Sequence, residues 1–425
     1  MKIAIIGTGI AGNVAAYHLS KEHEISVFEA DNRIGGHTHT VNVHHAGQEY
    51  AVDTGFIVFN QRTYPNFIRL LGELGVGWQD SDMSFSVQDE FSGLEYKGST
   101  INTLFAQRSN FFRPGFYRMI RDILRFNREA PQLLEANAPD ISLDDYLDVG
   151  RYSREFIEQF IIPMGAAIWS AQPGMMGRMP ARFFVRFFHN HGMLSVNQRP
   201  VWRVISGGSS QYVQKLVAGH RERIRLNTPV ESVRRRPGHV EIKARGLEVE
   251  RFDHVFFACH SDQALKVLAD PTNLEREVLG AIQYQVNEAV LHTDSSLMPR
   301  RRLAWAAWNY HRLKKQQDLL ALTYNMNILQ GIKAADQFCV TLNNTAAIDP
   351  ERIIHTQQYS HPVFSPKAVE AQQKQEQINS SGRSWFCGAY WRYGFHEDGV
   401  VSALDALSHF NERLNYEKRD LRRAG

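Results

Sequence analysis

Three glycines near the start of the chain have the spacing that binding of a diphosphate requires. Gly7, Gly9 and Gly12 follow the apolar run 3–6 and precede a helical pattern that reaches Leu19. The first glycine permits a tight turn, the second lets a phosphate approach the backbone, and the third lets the helix pack closely on the strand. The helix N-terminus then presents free N–H groups and partial positive charge. The spacing predicts an anion site built from backbone.

An acid completes this pattern. The second apolar run, 25–28, ends at Glu29. A carboxylate about 20 residues past such glycines can accept hydrogen bonds from ribose hydroxyls. The alternative interpretation, a glycine-rich turn without a ligand, leaves Glu29 unexplained. The sequence therefore predicts a β-α-β unit that binds a dinucleotide.

The residues that follow Glu29 indicate which dinucleotide. The run from Glu29 to Thr40, EADNRIGGHTHT, resembles the second nucleotide motif of the flavin-containing amine oxidase and phytoene desaturase superfamily. The resemblance implies FAD, with the paired glycines 35–36 close to the diphosphate and Arg33 adding positive charge. His37 stands where many relatives carry arginine. Since histidine is only partly charged near neutral pH, the charge at this position is an open question.

Further segments resemble the same superfamily in the same order along the chain. They are Asp53 to Phe56, Ile205 to Ser209, Arg225 to Val233, Asp253 to Cys259 and Trp385 to Ala403. The resemblance implies a chain turn beneath the flavin ring, a valine backbone against the adenine, and a closing helix whose N-terminus faces the ring. The cofactor-binding residues that it implies are Gly7, Gly9, Ile10, Ala11, Gly12, Glu29, Ala30, Arg33, Gly35, Gly36, His37, Thr38, Thr54, Gly55, Phe56, Val230, Gly388, Asp398, Gly399 and Val400.

A narrower resemblance suggests the substrate. The runs Asp53 to Asn60, Ser81 to Val87 and Trp308 to Tyr310 are similar to a bacterial subfamily of FAD-binding proteins. Members of that subfamily are often associated with cyclopropane-fatty-acid synthase-like methyltransferases. The resemblance implies work on acyl chains and makes a fatty-acid methyltransferase a candidate partner.

The resemblance also implies the fold and the division of the chain. We expect an α/β fold with a Rossmann-like FAD-binding domain (three-layer ββα, glutathione-reductase type) interleaved with an α+β substrate domain. The FAD-binding domain comprises 1–60, 205–262 and 382–425, and the substrate domain comprises 61–204 and 263–381. Apolar patterns within the second domain predict helices over 67–74 and 118–134 and strands over 319–324 and 338–342, whereas 367–383 has the composition of a loop.

The loop between Gly388 and Gly399 is expected to pass the flavin face. The residues expected near the ring are Tyr390, Trp391, Tyr393, His396 and Glu397, and Tyr390, Trp391, His396 and Glu397 are the candidate catalytic residues. Amine oxidases of this superfamily often place two aromatic rings beside the flavin to guide an amine. Tyr390 and Trp391 either serve in this way or pack around the cofactor. The scattered histidines and cysteines lack metal-ligand spacing, so we expect no metal and reduced thiols.

Composition restricts the class of protein. The chain has 425 residues with 43% hydrophobic and 22% charged content and a net charge of +3, typical of an ordinary two-domain globular protein that does not bind nucleic acid. No apolar run is long enough to span a bilayer. We expect a cytoplasmic location. The arginine-rich amphipathic segments 113–128 and 178–191 either lie on the inner face of the membrane or pack their apolar faces into the core.

Four functions stay open on these residues. The leading hypothesis is an FAD-dependent oxidoreductase that dehydrogenates or oxidises a fatty acyl chain, methylated or phospholipid-bound. The alternatives are an oxidase of small amines, an FAD-dependent isomerase, and an FAD-stabilised partner of a methyltransferase without redox chemistry. A lipid enzyme predicts a wide apolar site that opens toward the basic helices. An amine oxidase predicts a short pocket with an aromatic pair and a nearby carboxylate.

Overall fold

The computed structural model describes residues 1–137, 140–195, 199–314, 318–379 and 382–424, with side chains described through residue 416. The strands are β1 (Lys2–Ile6), β2 (Glu24–Phe28), β3 (Thr40–His45), β4 (Gln48–Asp53), β5 (Val58–Asn60), β6 (Trp78–Ser81), β7 (Phe85–Asp89), β8 (Leu94–Lys97), β9 (Trp202–Ile205), β10 (Ile224–Arg225), β11 (Val230–Arg236), β12 (His239–Ala244), β13 (Glu250–Phe252), β14 (His254–Phe257), β15 (Gln283–His292), β16 (Trp308–Arg312), β17 (Ala321–Asn325), β18 (Cys339–Leu342), β19 (Ile353–Val363) and β20 (Ser384–Phe386). The helices are α1 (Ile10–Leu19), α2 (Pro65–Glu73), α3 (Ile101–Leu104), α4 (Pro114–Glu129), α5 (Leu143–Val149), α6 (Arg154–Phe156), α7 (Ile162–Trp169), α8 (Pro173–Met176), α9 (Ala181–Asn190), α10 (Ser210–Val217), α11 (Ser261–Val267), α12 (Asn273–Gly280), α13 (Met326–Leu329), α14 (Pro366–Gln372), α15 (Gln375–Asn379) and α16 (His396–Ala424).

A five-stranded parallel sheet brings together three distant parts of the chain. Its order is β10-β2-β1-β14-β20, and every neighbouring pair is parallel. Because side chains alternate along a strand, β1 serves two layers. Ile3 and Ile5 pack toward α1, α10 and α16, whereas Ala4 and Ile6 pack toward the antiparallel β11-β12-β13 meander. This sheet between a helical layer and a meander confirms the predicted Rossmann-like architecture.

A second sheet of seven strands forms the other half of the molecule. Its order is β19-β15-β18-β17-β16-β7-β8. One face packs against the helices within 61–204, and this face and these helices share a large apolar core. The core includes Leu322, Tyr324 and the α9 rings Phe184, Phe187 and Phe188. A smaller antiparallel sheet, β5-β9-β6, and the β3-β4 hairpin lie beside these two sheets. The second half therefore has the mixed α+β character expected of a substrate domain.

Several local predictions agree with the structure, and one was wrong. The helix predicted over 67–74 is α2, the pattern over 118–134 covers most of α4 and a following 3₁₀ turn, and the two predicted strands are β17 and β18. The segment 367–383 was predicted as a loop but forms α14 and α15; its residues 380–381 lie outside the described ranges. Ala368, Ala371 and Ile378 are buried beneath the meander side of the parallel sheet, a tertiary contact that overrides the polar composition.

The same core includes residues of the predicted substrate domain. Residues of α11 and α12, such as Ala264 and Val278, pack with the parallel sheet, whereas the predicted division places 263–381 in the substrate domain. Within the described ranges, no helix combines the length and apolar character needed to cross a bilayer. In the same part of the chain, no group of three or more His, Cys, Asp or Glu side chains is arranged to hold a metal ion.

Candidate functional site

The N-terminus of α1 is prepared for an anion. Its N-cap is Gly9 and its first turn is Ile10, Ala11 and Gly12, so neither a capping side chain nor an acid occupies the helix end. Apart from Gly9 and its neighbours along the chain, no atom of the described residues lies within 4 Å of the position that a Cβ on Gly9 would take. A Cβ on Gly12 would instead lie 2.0 Å from the Gly7 carbonyl oxygen. Gly12 is thus a packing glycine, and Gly9 faces open space beside free N–H groups.

Glu29 is held at the end of β2, beside the glycine turn. Its carboxylate accepts hydrogen bonds from the Thr8 N–H at 2.9 Å, from the Thr8 hydroxyl, and from the Asp31 N–H at 2.9 Å. The Glu29 carbonyl oxygen accepts from the Thr228 N–H at 2.8 Å, two residues before Val230 begins β11. Ala30 is exposed next to this acid. The predicted ribose and adenine segments therefore lie side by side.

Arg33 shapes the loop that faces the glycine turn. Its guanidinium donates to the Thr38 carbonyl at 3.0 Å and to the Gly36 carbonyl at 2.7 Å. A Cβ on Gly36 would approach the Gly9 Cα to 2.9 Å, and Gly35 adopts φ +128°. The paired glycines therefore allow the two loops to meet, and Arg33 holds the second loop in place through backbone carbonyls.

The structure answers the question of charge at His37. Its ring lies 5.1 Å from the Tyr359 ring, 5.3 Å from the His361 ring and 6.1 Å from the His260 ring, measured between centroids. Burial, with smaller contributions from His260 and Arg33, lowers the pKa of His37 to about 3. Burial likewise lowers the pKa of His361 to about 3. The imidazole at position 37 is therefore neutral at neutral pH.

Thr54, Gly55 and Phe56 run alongside the residues after His37. The Thr54 N–H donates to the His39 carbonyl, and the Phe56 N–H donates to the His37 carbonyl, each at 2.9 Å. The Thr54 hydroxyl lies 3.0 Å from the Tyr359 hydroxyl. A Cβ on Gly55 would lie 2.0 Å from the His37 carbonyl oxygen, so only glycine permits this close approach.

The start of α16 closes the site. A Cβ on Gly399 would lie 2.6 Å from Ile10 Cγ2, which shows how closely the N-terminal end of α16 packs on that of α1. The Asp398 carboxylate accepts from the Tyr393 N–H at 3.2 Å and the Phe395 N–H at 2.9 Å, and burial raises its pKa to about 7. Val400 is buried in the helical core, and Gly388 precedes the turn that leads into the helix.

The candidate catalytic residues are bound into the surrounding structure. The His396 ring stacks on Phe56, with centroids 3.5 Å apart, and its Nε2 lies 2.9 Å from the Thr38 hydroxyl and 3.0 Å from the Tyr212 hydroxyl. Glu397 accepts hydrogen bonds from the Asn66 side chain at 2.7 Å and the Phe67 N–H at 2.9 Å, at the start of α2. Both side chains therefore have structural partners.

Tyr390 and Trp391 do not form a pair that lines an open site. Both are buried in the core between the parallel sheet and the meander, with Phe257 and Phe386. Their ring centroids are 4.9 Å apart, and their planes are tilted by 44°. Packing around the nucleotide domain is the alternative that this placement favours.

Three residues beside His37 escaped the sequence-based prediction. His260 lies just after the end of β14. The chain after β14 lies close to the glycine turn, since a Cβ on Gly7 would lie 2.9 Å from the Ala258 carbonyl oxygen. Tyr359 and His361 lie two apart on β19 and so share one face of that strand. The carboxyl end of a predicted parallel strand was a usable signal for His260, since ligands bind at such ends. No comparable signal pointed to β19.

Sequence comparison shows the family. A model of the family described as flavin containing amine oxidoreductase matches residues 10–301. The chain belongs to this family. It is accordingly an FAD-dependent oxidoreductase, and the open space at Gly9 beside the uncapped end of α1 fits the FAD diphosphate. A search of curated protein sequences found no significant match.

Solved structures share the fold of this flavoprotein over nearly its full length. Cyclohexylamine oxidase from Brevibacterium oxydans IH-35A aligns with a TM-score of 0.70 at 15% identity, covering 97% of this chain and 99% of that chain. The CLA-producing fatty acid isomerase from P. acnes aligns with a TM-score of 0.68 at 15% identity, covering 96% and 98%. Putrescine oxidase bound to putrescine aligns with a TM-score of 0.67 at 15% identity, covering 96% and 99%.

Proposed function

We propose that this flavoprotein dehydrogenates the acyl chain of an anionic lipid or fatty acid. The proposal rests on the junction between α9 and residues 388–399, which we call the closing segment. There the Tyr393 ring lies 4.7 Å from the Phe183 ring and 5.6 Å from the Phe187 ring, and Phe395 lies 5.1 Å from Phe187. Phe364 adds a ring 5.1 Å from Phe183. Such a surface suits a chain that offers no charge to bind.

The charges beside these rings favour an anion over an amine. Arg186 and Arg392 are the cations close enough to lower the pKa of Tyr393, opposing its burial and the buried Asp398. A protonated amine is repelled by such arginines, whereas a carboxylate or phosphate is attracted. The two acids of the closing segment, Glu397 and Asp398, already accept backbone N–H groups. Neither carboxylate is therefore free to bind an ammonium group.

The chain's own residues have defined tasks in this reaction. FAD, when bound, would accept the hydride from one C–H bond of the substrate, while the adjacent carbon gives up a proton to solvent as the double bond forms. The partly exposed rings of Phe183 and Tyr393 hold the apolar chain and exclude water, and the buried Phe187 packs behind them. Arg186 holds the anionic end of the substrate by charge. Trp169 donates from its indole nitrogen to the Tyr393 carbonyl at 3.1 Å and so fixes the closing segment on α7.

Anaerobic titration of the purified holoprotein tests this function. We expect an unsaturated or methylated acyl phospholipid to bleach the visible absorbance of the flavin, and cyclohexylamine and putrescine to leave it unchanged. Bleaching by an amine and not by lipid would establish amine oxidation instead. A moved double bond without acceptor consumption would establish an isomerase, and no response to any substrate would remove a redox role. The fatty acids of cells with and without the gene should differ by mass spectrometry.

A charge variant tests the proposed anionic anchor. Arg186→Gln should raise KM for the acyl substrate about tenfold with little change in kcat, because it removes binding that substrate and transition state share. Arg178→Gln makes the same change at an exposed arginine just before α9 and should leave KM unchanged. Equal KM values for both variants would contradict the role of Arg186.

A further inference from the structure

We infer that residues 101–117 form a docking surface for the anionic face of a lipid bilayer. Four large apolar side chains are exposed there: Ile101, Phe111, Phe112 and Tyr117, which we call the exposed patch. Phe112 is 88% exposed and Ile101 is 78% exposed. Scattered single apolar residues are ordinary on a protein surface, but a contiguous group marks an interaction site. The inference stands apart from the proposed substrate, since a surface can bind a bilayer whatever the site oxidises.

The exposed patch is rigidly built. Phe111 stacks on the buried Phe105 with centroids 4.1 Å apart and planes within 3° of parallel. The Tyr117 hydroxyl donates to the Phe111 carbonyl at 3.1 Å. The buried Asn110 donates to the Glu95 carbonyl at 3.1 Å. Phe112 therefore projects from the end of a 3₁₀ turn, Arg108–Phe112, that is held by hydrogen bonds and ring stacking.

Hydrogen bonds also anchor the helix that carries Ile101. Thr100 and Thr103 form a reciprocal capping box at the start of α3, which satisfies free N–H groups at that end. Arg108 donates to the Phe105 carbonyl at 2.9 Å and to the Asn102 side chain at 2.7 Å, and so ties the end of α3 to the following turn. Ile101 is thus presented to solvent by a well-fastened short helix.

Positive charge surrounds these apolar side chains. Between Glu95 and Asp122 the sequence contains no acid, while its basic residues there are Lys97, Arg108, Arg113, Arg118 and Arg121. The turn at Arg302–Ala304 lies against α3 and β8, and it adds Arg300, Arg301 and Arg302. Among the described residues, Arg108, Arg113, Arg300 and Arg302 form no salt bridge.

Acids neutralise part of this charge but leave an excess. Glu95 pairs with Arg301 at 3.0 Å, and Glu155 pairs with Arg118. Asp122 is buried, with Arg121 and Arg125 beside it. The arginines without acid partners border an apolar centre, which is the pattern of a surface that inserts rings between lipid headgroups and binds anionic lipids electrostatically. A second copy of this chain would bring the same positive charge to the contact and would be repelled.

The two arginine-rich segments predicted from the sequence, which form α4 and α9, differ in what they contribute to this surface. In α9 Phe184, Val185, Phe187 and Phe188 are buried, and within this helix no large apolar side chain is exposed. In α4 Phe116, Met119 and Phe126 are buried, and only the first turns adjoin the exposed patch. Docking is therefore assigned to α3, the 3₁₀ turn Arg108–Phe112 and the first turn of α4, and not to the arginine-rich faces of α4 and α9.

Vesicle flotation with the full-length holoprotein tests the docking surface. The protein should float with equimolar phosphatidylcholine and phosphatidylglycerol vesicles, remain unbound to phosphatidylcholine alone, and be released by added salt because salt screens exposed charges. Phe112→Ser combined with Ile101→Ser should lower the bound fraction about tenfold. Since both side chains are exposed, the flavin content of this variant should stay unchanged. Val249→Ser, which changes an exposed apolar residue in the nucleotide domain, is the control and should bind normally.

A second pair of variants separates charge from apolar contact. Arg113→Gln with Arg302→Gln should weaken binding to anionic vesicles and reduce its salt dependence, whereas Arg221→Gln with Arg234→Gln should not. Wild-type protein that ignores anionic vesicles would overturn the inference. So would patch variants that bind as well as wild type. A change from dimer to monomer on removal of Phe112, measured by light scattering, would assign the surface to a second copy instead.

Discussion

The two ends of the candidate site are built by different means. At the α1 end, Gly9, Gly36 and the helix N-terminus create the surface for the diphosphate from backbone. At the α9 end, rings and arginines from distant segments meet around Tyr393. A backbone site depends on short sequence spacing and tolerates few substitutions. A side-chain site depends on which residues the fold brings together, so one family can change its substrate while it keeps its cofactor.

We expect the largest effect from a substitution that disrupts only the α1 end of the site. Gly9 has φ −64° and open space at its Cβ position, so Gly9→Val should fold normally. The valine would occupy the place of the diphosphate, and the purified protein should lose its yellow colour. The flavin-to-protein absorbance ratio measures this, with circular dichroism as the check on folding.

Two further glycines sharpen this prediction. Gly219 also has open space and lies at the surface, so Gly219→Val should keep full FAD occupancy. Gly12→Val should yield no folded protein, because its side chain would collide with the Gly7 carbonyl. A Gly9→Val protein that retains FAD would show that the diphosphate lies elsewhere.

The histidines around His37 make the centre of the site sensitive to acid. His37 and His361 have pKa values of about 3 in the fold, against 6.5 unfolded. Their contribution to stability is therefore complete above pH 6.5 and is lost as the pH falls toward 3, with a slope of at most about 1.4 kcal/mol per pH unit for each. The melting temperature should fall between pH 6.5 and 4, and His37→Asn with His361→Asn should flatten that decline.

Buried acids give the opposite dependence of stability on pH. The contributions of the histidines and of the acids can therefore be separated. The pKa of Asp53 is raised to about 6 and that of Asp398 to about 7, in both cases by burial. Their stabilising contribution is complete below pH 3.8 and is lost as the pH rises through these values. If the histidine variants left the acid-side decline unchanged, the cause would lie outside the cluster around His37.

Asp53 links the cofactor side to the substrate side. Its carboxylate accepts from the Ser209 N–H at 2.9 Å, from the Thr40 hydroxyl at 2.5 Å and from the Gln330 side chain at 3.0 Å. Asp53→Ala leaves these buried donors unpaired and should lower the free energy of unfolding by about 2–4 kcal/mol. Urea denaturation measures this change in the free energy of unfolding. Asp80→Ala, at an exposed ion pair, should cost under about 1 kcal/mol.

The smallest effect tests the closing segment. Glu397→Gln weakens the bonds to the start of α2 and should cost about 1 kcal/mol of stability. Turnover at saturating substrate should change less than about twofold, since the carboxylate is committed to helix N–H groups. A variant of normal stability that has lost turnover would restore Glu397 as a catalytic residue.

Much of the cofactor end was readable from the sequence. The turn at Gly7 to Gly12, Glu29 and the loop at Gly35–Gly36 lie together as expected, because each is a local backbone feature at a strand end. The role of Arg33 was less visible, since its bonds to carbonyls depend on the exact path of the loop. The α14 and α15 segment was missed because its polar composition concealed buried alanines.

By itself the sequence determined the dinucleotide turn, the family and the layered fold, since spacing of glycines and apolar residues acts over a few residues of chain. Only the tertiary structure decided that His37 is neutral, that Tyr390 and Trp391 are core residues, and that arginine and aromatic rings meet at Tyr393. Burial and charge at a site are sums over neighbours from distant segments. Those neighbours become defined only when the chain has packed.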